Sequence, residues 1–488
     1  MGDSAFAAAK AFAAHVPFAV KTAFCHATSL SPTASKWDFR TEMTVNFIRH
    51  VLQKEMSRPH SISKIQRSTM RASIPPSHPH SWIIAETFPT PEEDDIRQAL
   101  LDAIRDLKSN EETTFSEPEL KPTEGEWTAY TKYKGTVHVA DGQRREAAEF
   151  GAMMDELGRC PTILYLHGGA HYLMDPASHR TNVSRLTRFA GGRAFSVRYR
   201  LSPQNPFPAS LLDALLAYLT LLYPPDGSLH TPIPASEIVF AGDSAGGMLV
   251  FALTQLLLQL QKASRRITFN GREVEVPLPA GVTGNSPFLD VTSSMPSMEA
   301  NTMYDYLPPP SVSAEAEYPP CDVWPTDPPR VLFYCNDDAM MHPLVSPLAA
   351  TNWEGCPPAY VVFGQELLED ENRVFLRRLA RQGVKVRFEY FEAMPHCFAL
   401  ALEKHPAARV CFESWGQFVC DVTKITHGHS AREVETEGIF VAAKSLERTP
   451  MDASSLSGLS EGEVGQRMLN SQRNKMQRFQ KLRFHSRL

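Results

Sequence analysis

Glu237–Leu260 reads EIVFAGDSAGGMLVFALTQLLLQL, and its three parts decide the fold. Ile238 to Ala241 is a short apolar run of buried-strand type, Gly242 to Gly247 is a turn of small residues, and a long apolar helix follows. The serine stands at the centre of G-x-S-x-G. Small residues two before and two after it let the chain reverse sharply, which forces Ser244 onto a strained corner with its hydroxyl exposed. The helix points its N-terminus at the same spot, where it favours developing negative charge. A functionless Gly-rich connector would carry the same five residues, but the strand before and the helix after argue against it. Ser244 is therefore the candidate nucleophile. The helix itself is shorter than the ~20 apolar residues needed to span a bilayer, so it is expected to be buried.

Upstream, the apolar run Pro161 to Leu166 ends in His167-Gly168-Gly169-Ala170. Acyl transfer creates a tetrahedral oxyanion that backbone N–H groups must meet, and consecutive glycines allow close backbone approach. Gly168, Gly169 and Ala245 are the expected donors. His167 precedes the glycines, which suits orienting this loop better than acting as base. It is placed with Tyr304 and Tyr306 among the substrate-binding candidates.

Further strand-like runs lie at Tyr130 to Val139, Ala194 to Arg198, Tyr360 to Phe363 and Val384 to Tyr390. Helical stretches fall at His179 to Ala190, Ala209 to Leu222 and Asn372 to Gln382. Strands alternating with helices of 10–15 residues imply βαβ units and a mostly parallel sheet covered on both faces. Ile267 to Val276, with Asn270-Gly271 between alternating residues, reads as a small hairpin. In this architecture the triad follows the chain order serine, acid, histidine. His396, in the loop after the last of these strands, is the candidate base. The acid should follow Tyr360 to Phe363, where the chain runs Gln365-Glu366-Leu367-Leu368-Glu369-Asp370-Glu371. Glu366 is nearest the strand end, and Asp370 is the fallback.

The chain has 488 residues, 43% apolar and 21% charged, with 49 Lys+Arg against 55 Asp+Glu, a net charge of −6. That composition excludes a disordered or collagen-like chain, and the acidic balance argues against nucleic acid as a partner. Eight scattered cysteines show neither C-x-x-C nor zinc spacing, so no metal, cofactor or disulfide framework is expected, and a reducing cytoplasmic setting is. The 38 prolines exceed the usual share of about 5% and imply long irregular loops. Ala5 to Phe24 is acid-free and apolar but carries Lys10, His15, Pro17 and Lys21. It reads as an amphipathic helix packed on the protein, with peripheral contact to an internal membrane as the alternative. Residues 1 to about 110 read as helices, with Trp37 to Glu55 periodic and a loop at Ser73 to His80. The expected organisation is an N-terminal helical extension over 1–120, a catalytic domain over 121–426 with an insertion at about 291–335, and a polar, mostly disordered tail over 427–488. The oligomeric state is not legible.

Taken jointly, LYLHGGAHY (164–172), YRLSPQNPFPASLLDALLAY (199–218), FAGDSAGG (240–247), NSPFLD (285–290), HPLVSPLAA (342–350) and MPHCFAL (394–400) resemble the hormone-sensitive-lipase-like family of α/β-hydrolases. Its fungal members include relatives of arylacetamide and steryl acetyl esterases. The resemblance spans roughly residues 125–425. It implies an α/β-hydrolase fold with a helical cap, formed by the N-terminal helices and the insertion after Asp290, to which Trp37, Tyr304 and Tyr306 would contribute. It assigns Ser244 as nucleophile, Gly168, Gly169 and Ala245 as oxyanion hole, and His396 as base. The family usually places Asp in D-P-L-x-D-E; here Glu366 stands at that position and the proline is absent. The implied activity is serine-dependent hydrolysis of a small-molecule ester. The alternatives are acyl transfer, lactone formation or amide hydrolysis on a secondary metabolite, and a silent ligand receptor on the same fold.

Overall fold

The continuous apolar runs pair as central strands because both of their faces are buried. In a computed structural model, residues 16–70, 80–108, 113–133, 137–140, 143–264, 266–314, 316–426 and 431–485 are described. The strands are β1 (Ser81–Phe88), β2 (Thr123–Tyr130), β3 (Val137–Ala140), β4 (Thr162–Leu166), β5 (Arg193–Val197), β6 (Ile238–Asp243), β7 (Ile267–Phe269), β8 (Arg272–Val274), β9 (Gly281–Asn285), β10 (Ala359–Gly364), β11 (Val386–Phe391), β12 (Glu437–Val441) and β13 (Arg448–Met451). Helices of eight residues or more are α1 (Val16–Ala27), α2 (Phe39–Ser57), α3 (Ile62–Thr69), α4 (Asp95–Leu107), α5 (Gln143–Leu157), α6 (Pro176–Ala190), α7 (Ala209–Leu222), α8 (Ala245–Lys262), α9 (Glu369–Arg381), α10 (Pro406–Thr423) and α11 (Glu461–His485).

Eleven strands form one sheet in the order β13-β12-β11-β10-β9-β6-β4-β5-β2-β1-β3. From β12 to β5 every neighbouring pair is parallel, while β2, β1 and β13 run antiparallel to the neighbour on their inner side. Alternate side chains enter opposite cores. Leu164, Leu166, Phe240, Val361 and Phe363 join one cluster. Ile163, Tyr165, Val239, Ala241, Tyr360 and Val362 join the other. This explains the unbroken apolar runs, and each fully buried large side chain contributes about 1.5–3 kcal/mol. The Asn270-Gly271 hairpin is present, with both residues at positive φ.

Three expectations about the ends of the chain require correction. The helical extension does not reach residue 120: β1 pairs with β2 from Ser81↔Tyr130 to Phe88↔Thr123 and belongs to the main sheet. Its signal is hidden because a buried acid interrupts the pattern. Glu86 accepts from Trp127 Nε1 at 2.6 Å and from the Leu229 N–H at 2.6 Å. The strand expected at Tyr130 to Val139 instead lies earlier, as β2, with β3 beginning at Val137. The C-terminal segment is not a disordered tail. β12 adds in parallel to β11, and α11 buries Val464 and Met468, one turn apart. Arg377 and Arg378 both pair with Glu461, while Ser471 Oγ donates to the Thr292 carbonyl in the insertion and Gln472 Nε2 to that of Asp337 just after it. Two apolar anchors and a pair of buried guanidinium groups outweigh the polar composition. Glu461→Ala is expected to lower stability by about 1 kcal/mol, since Glu461 is half exposed and solvent screens it. Calorimetry should show this as a Tm fall of about 2 °C.

Of the N-terminal apolar segment, residues 1–15 lie outside the described residues, as do 71–79 of the expected loop. The remainder forms α1, whose Val16, Val20 and Phe24 are exposed. No helix among the described residues is long and apolar enough to cross a membrane. Helices α2 and α3 lean on the insertion: Arg49 donates to the carbonyls of Thr302, Met303 and Asp305, and Ser63 Oγ bonds Asp322. The segments at residues 34–37 and 443–444 also meet at one turn. Lys36 pairs with Glu392, Trp37 Nε1 donates to Ala393 O at 2.6 Å, the Ala443 N–H donates to Glu392, and Lys444 reaches Ala34 O.

Candidate active site

Ser244 sits between β6 and α8 with φ 51° and ψ −121°, a region that costs a non-glycine residue about 1–3 kcal/mol. The surroundings over-determine it. Its N–H donates to Asn285 O at 2.9 Å, and its carbonyl accepts from Phe288 N and Met248 N. The flanking glycines are sterically required. A Cβ on Gly246 would lie 2.0 Å from Leu166 O, and one on Gly242 would lie 2.5 Å from the Gly246 carbonyl carbon.

His396 lies in the loop after β11. Its Nε2 stands 2.9 Å from Ser244 Oγ, and its Nδ1 bonds Glu366 Oε2. Glu366 is fully buried and His396 nearly so. Burial disfavours the imidazolium, while Cys397 and Glu366 favour it, and the balance lies well above the ordinary histidine value. Burial pushes the Cys397 thiol up to about 11, which leaves it neutral, so the Glu366 carboxylate carries that upward direction. The other acids of the run are engaged elsewhere. Glu369 pairs with Arg373, Asp370 accepts from Ser297 N at 2.8 Å, and Glu371 accepts from Leu289 N at 2.6 Å. The fallback acid Asp370 therefore does not meet the imidazole: it lies on the first turn of α9, where it holds the insertion.

Gly169 lies in the loop after β4 and Ala245 is the first residue of α8, the two chain positions from which the expected oxyanion donors would act. Gly168 differs from expectation. Its N–H donates to Asp243 Oδ1 at 3.1 Å, and a Cβ there would lie 2.2 Å from Asp243 Oδ2. Gly168 thus anchors the loop. Asp243 also accepts from Tyr165 Oη at 2.7 Å and faces His179 Nε2 at 3.3 Å. Burial opposes both charges, yet mutual attraction holds Asp243 below and His179 above their usual values. Asp243 was missed by sequence reasoning; an acid ending a fully buried strand was its signal.

His167 lies directly after β4. It is buried, donates from Nδ1 to Gly168 O at 2.7 Å and stacks on Tyr199 at 4.3 Å. Burial pushes its pKa down to about 3, so it is a neutral brace. Tyr306 stands edge-on to His396 with centroids 6.2 Å apart. Tyr304 packs edge-on against Trp37.

A family model described as the alpha/beta hydrolase fold matches residues 163–400. An acetyl-hydrolase of Streptomyces hygroscopicus is 31% identical over 263 residues, covering 54% of this chain and 76% of that protein. An esterase of Acinetobacter venetianus is 27% identical over 258 residues, covering 52% and 73%. Among solved structures, an esterase from the bacterial hormone-sensitive lipase family aligns with a TM-score of 0.50 and 22% identity, covering 77% of this chain and 97% of that one, which shows a shared fold. The similarity runs from β4 through Ser244 to the loop that carries His396, and the chain belongs to the hormone-sensitive-lipase-like family of α/β-hydrolases, as a serine hydrolase of the carboxylesterase type.

Proposed function

We propose that the protein hydrolyses esters of small to medium acyl chains, with Ser244, His396 and Glu366 as its triad. The observation that carries this is the Ser244 Oγ to His396 Nε2 distance of 2.9 Å, with the far nitrogen held by Glu366. His396 takes the serine proton as Oγ attacks the ester carbonyl, and the oxyanion forms against the N–H groups of Gly169 and Ala245. The imidazolium then protonates the leaving alcohol. Water, deprotonated by the same imidazole, attacks the acyl-serine, and collapse releases the acid and restores Ser244.

The short-acyl preference draws support from the relative named acetyl-hydrolase. A reducing cytoplasmic setting suits the eight cysteines, none of which is paired. A panel of p-nitrophenyl esters, with a sterol acetate added, should show acetate and butyrate turned over faster than palmitate. Palmitate as best substrate would overturn the chain-length reading, and no turnover of any ester would overturn the hydrolase reading. Adding an acceptor alcohol to the same assay separates acyl transfer from hydrolysis by the product formed.

A further inference from the structure

A second carboxylate lies buried beside the triad. Asp305, in the insertion, is fully buried between the half-buried Tyr304 and Tyr306. Its Oδ2 accepts from Leu367 N at 2.9 Å, the residue directly after Glu366. Its Oδ1 accepts from His396 N at 3.3 Å and from Leu307 N at 3.1 Å. One side chain thereby ties together the acid loop, the base loop and its own segment, each through a main-chain N–H. Its own placement is fixed from two sides. The guanidinium of Arg49, on α2, donates to the Asp305 carbonyl at 2.9 and 2.6 Å. Eight residues upstream of the aspartate, Ser297 Oγ donates to Leu367 O, and four residues upstream Asn301 Nδ2 donates to the carbonyl of Glu366 itself.

We propose that Asp305 is a positioning residue through which the N-terminal helix α2 and the insertion set the spacing of Glu366 and His396. It acts through main-chain groups of both loops and touches no reacting atom. Three N–H donors converge on one carboxylate, a demand that an ionised acid meets and an amide does not. In Asp305→Asn, the new NH2 group would face a main-chain N–H, so one loop must withdraw. A displacement near 1 Å at a catalytic constellation costs on the order of 10²-fold in rate.

The inference rests on the triad reading above, so the test uses one readout that needs turnover and one that does not. Steady-state hydrolysis of p-nitrophenyl acetate by the full chain should show kcat of Asp305→Asn reduced about 10²-fold with KM changed less than about threefold, and Arg49→Ala shifted in the same sense but less. The low-field proton resonance of the His396 Nδ1–H, bonded to Glu366, should be present in the parent and shifted or lost in Asp305→Asn. If the parent shows this resonance and Asp305→Asn moves it, but no ester is hydrolysed, the positioning role stands and the esterase reading fails. An unmoved resonance with kcat within twofold of the parent overturns the proposal, as does a loss confined to KM, which would make Asp305 a substrate contact. Should Asp305→Asn fail to fold, Arg49→Ala with unchanged kcat and an unchanged resonance overturns it equally.

Discussion

Ser244→Ala is expected to lower kcat for ester hydrolysis on the order of 10⁶-fold while leaving the folded structure intact. Removing the nucleophile of a triad costs about as much as removing the whole triad, because the members act as one unit. What remains is the contribution of the oxyanion donors and of substrate binding, about 10³–10⁴ over water. Stability should hardly change. The Ser244 hydroxyl bonds only His396 Nε2 among the described residues, and the elbow is held by main-chain bonds to Asn285, Phe288 and Met248. Turnover of p-nitrophenyl acetate together with a thermal melt checks both halves. A variant that keeps a tenth of the parent rate would show that another group is the nucleophile.

Glu366→Gln should reduce kcat about 10⁴-fold near neutral pH, whereas Asp370→Asn should stay within about twofold of the parent. The carboxylate accepts from Nδ1–H and so leaves Nε2 free to take the serine proton. A glutamine amide that donates to Nδ1 selects the other tautomer, and an interchange of this kind in another serine hydrolase costs about 10⁴. The pH dependence gives a second, independent sign. The base must be neutral to act, and His396 is held above its ordinary value. Activity of the parent therefore disappears as pH falls through that raised value, which places the optimum on the alkaline side. Without the Glu366 charge the acid limb should move to lower pH, so the relative loss is largest under alkaline conditions. Asp370 supplies only a cap to Ser297 N, an interaction that an asparagine oxygen can still accept. Equal losses from both substitutions would place the acid's role outside Glu366.

The parts of the site legible in the sequence are those that local rules enforce. An apolar strand, a turn of residues too small to clash and an apolar helix leave Ser244 little alternative, and the 2.0 Å that a Cβ on Gly246 would leave to Leu166 O shows why. His396 and Glu366 follow because strand ends on one edge of a parallel sheet converge. The illegible parts depend on partners distant in the chain. Glu86 looks like a surface residue until Trp127 is placed against it. The polar composition of residues 461–485 conceals an attachment to Arg377 and Arg378. Gly168 looks like an oxyanion donor until the Asp243 side chain is seen to take its N–H. Asp305 gives no signal at all, since the two loops it ties together lie 62 and 91 residues away.

The turn at Glu392 and Ala393, gripped by Lys36 and Trp37 on one side and by Ala443 and Lys444 on the other, bears on the order in which the enzyme comes into being. A ribosome delivers the chain from its N-terminus. The glycine loop, the nucleophile and the acid are all made, with the strands that carry them, before the segment that closes this turn emerges. The last component of the triad to gain its support is thus the histidine, and the grip waits on residues some fifty positions beyond it. A hydrolase built this way completes its hardware for bond breaking only after Ala443 and Lys444 have been made.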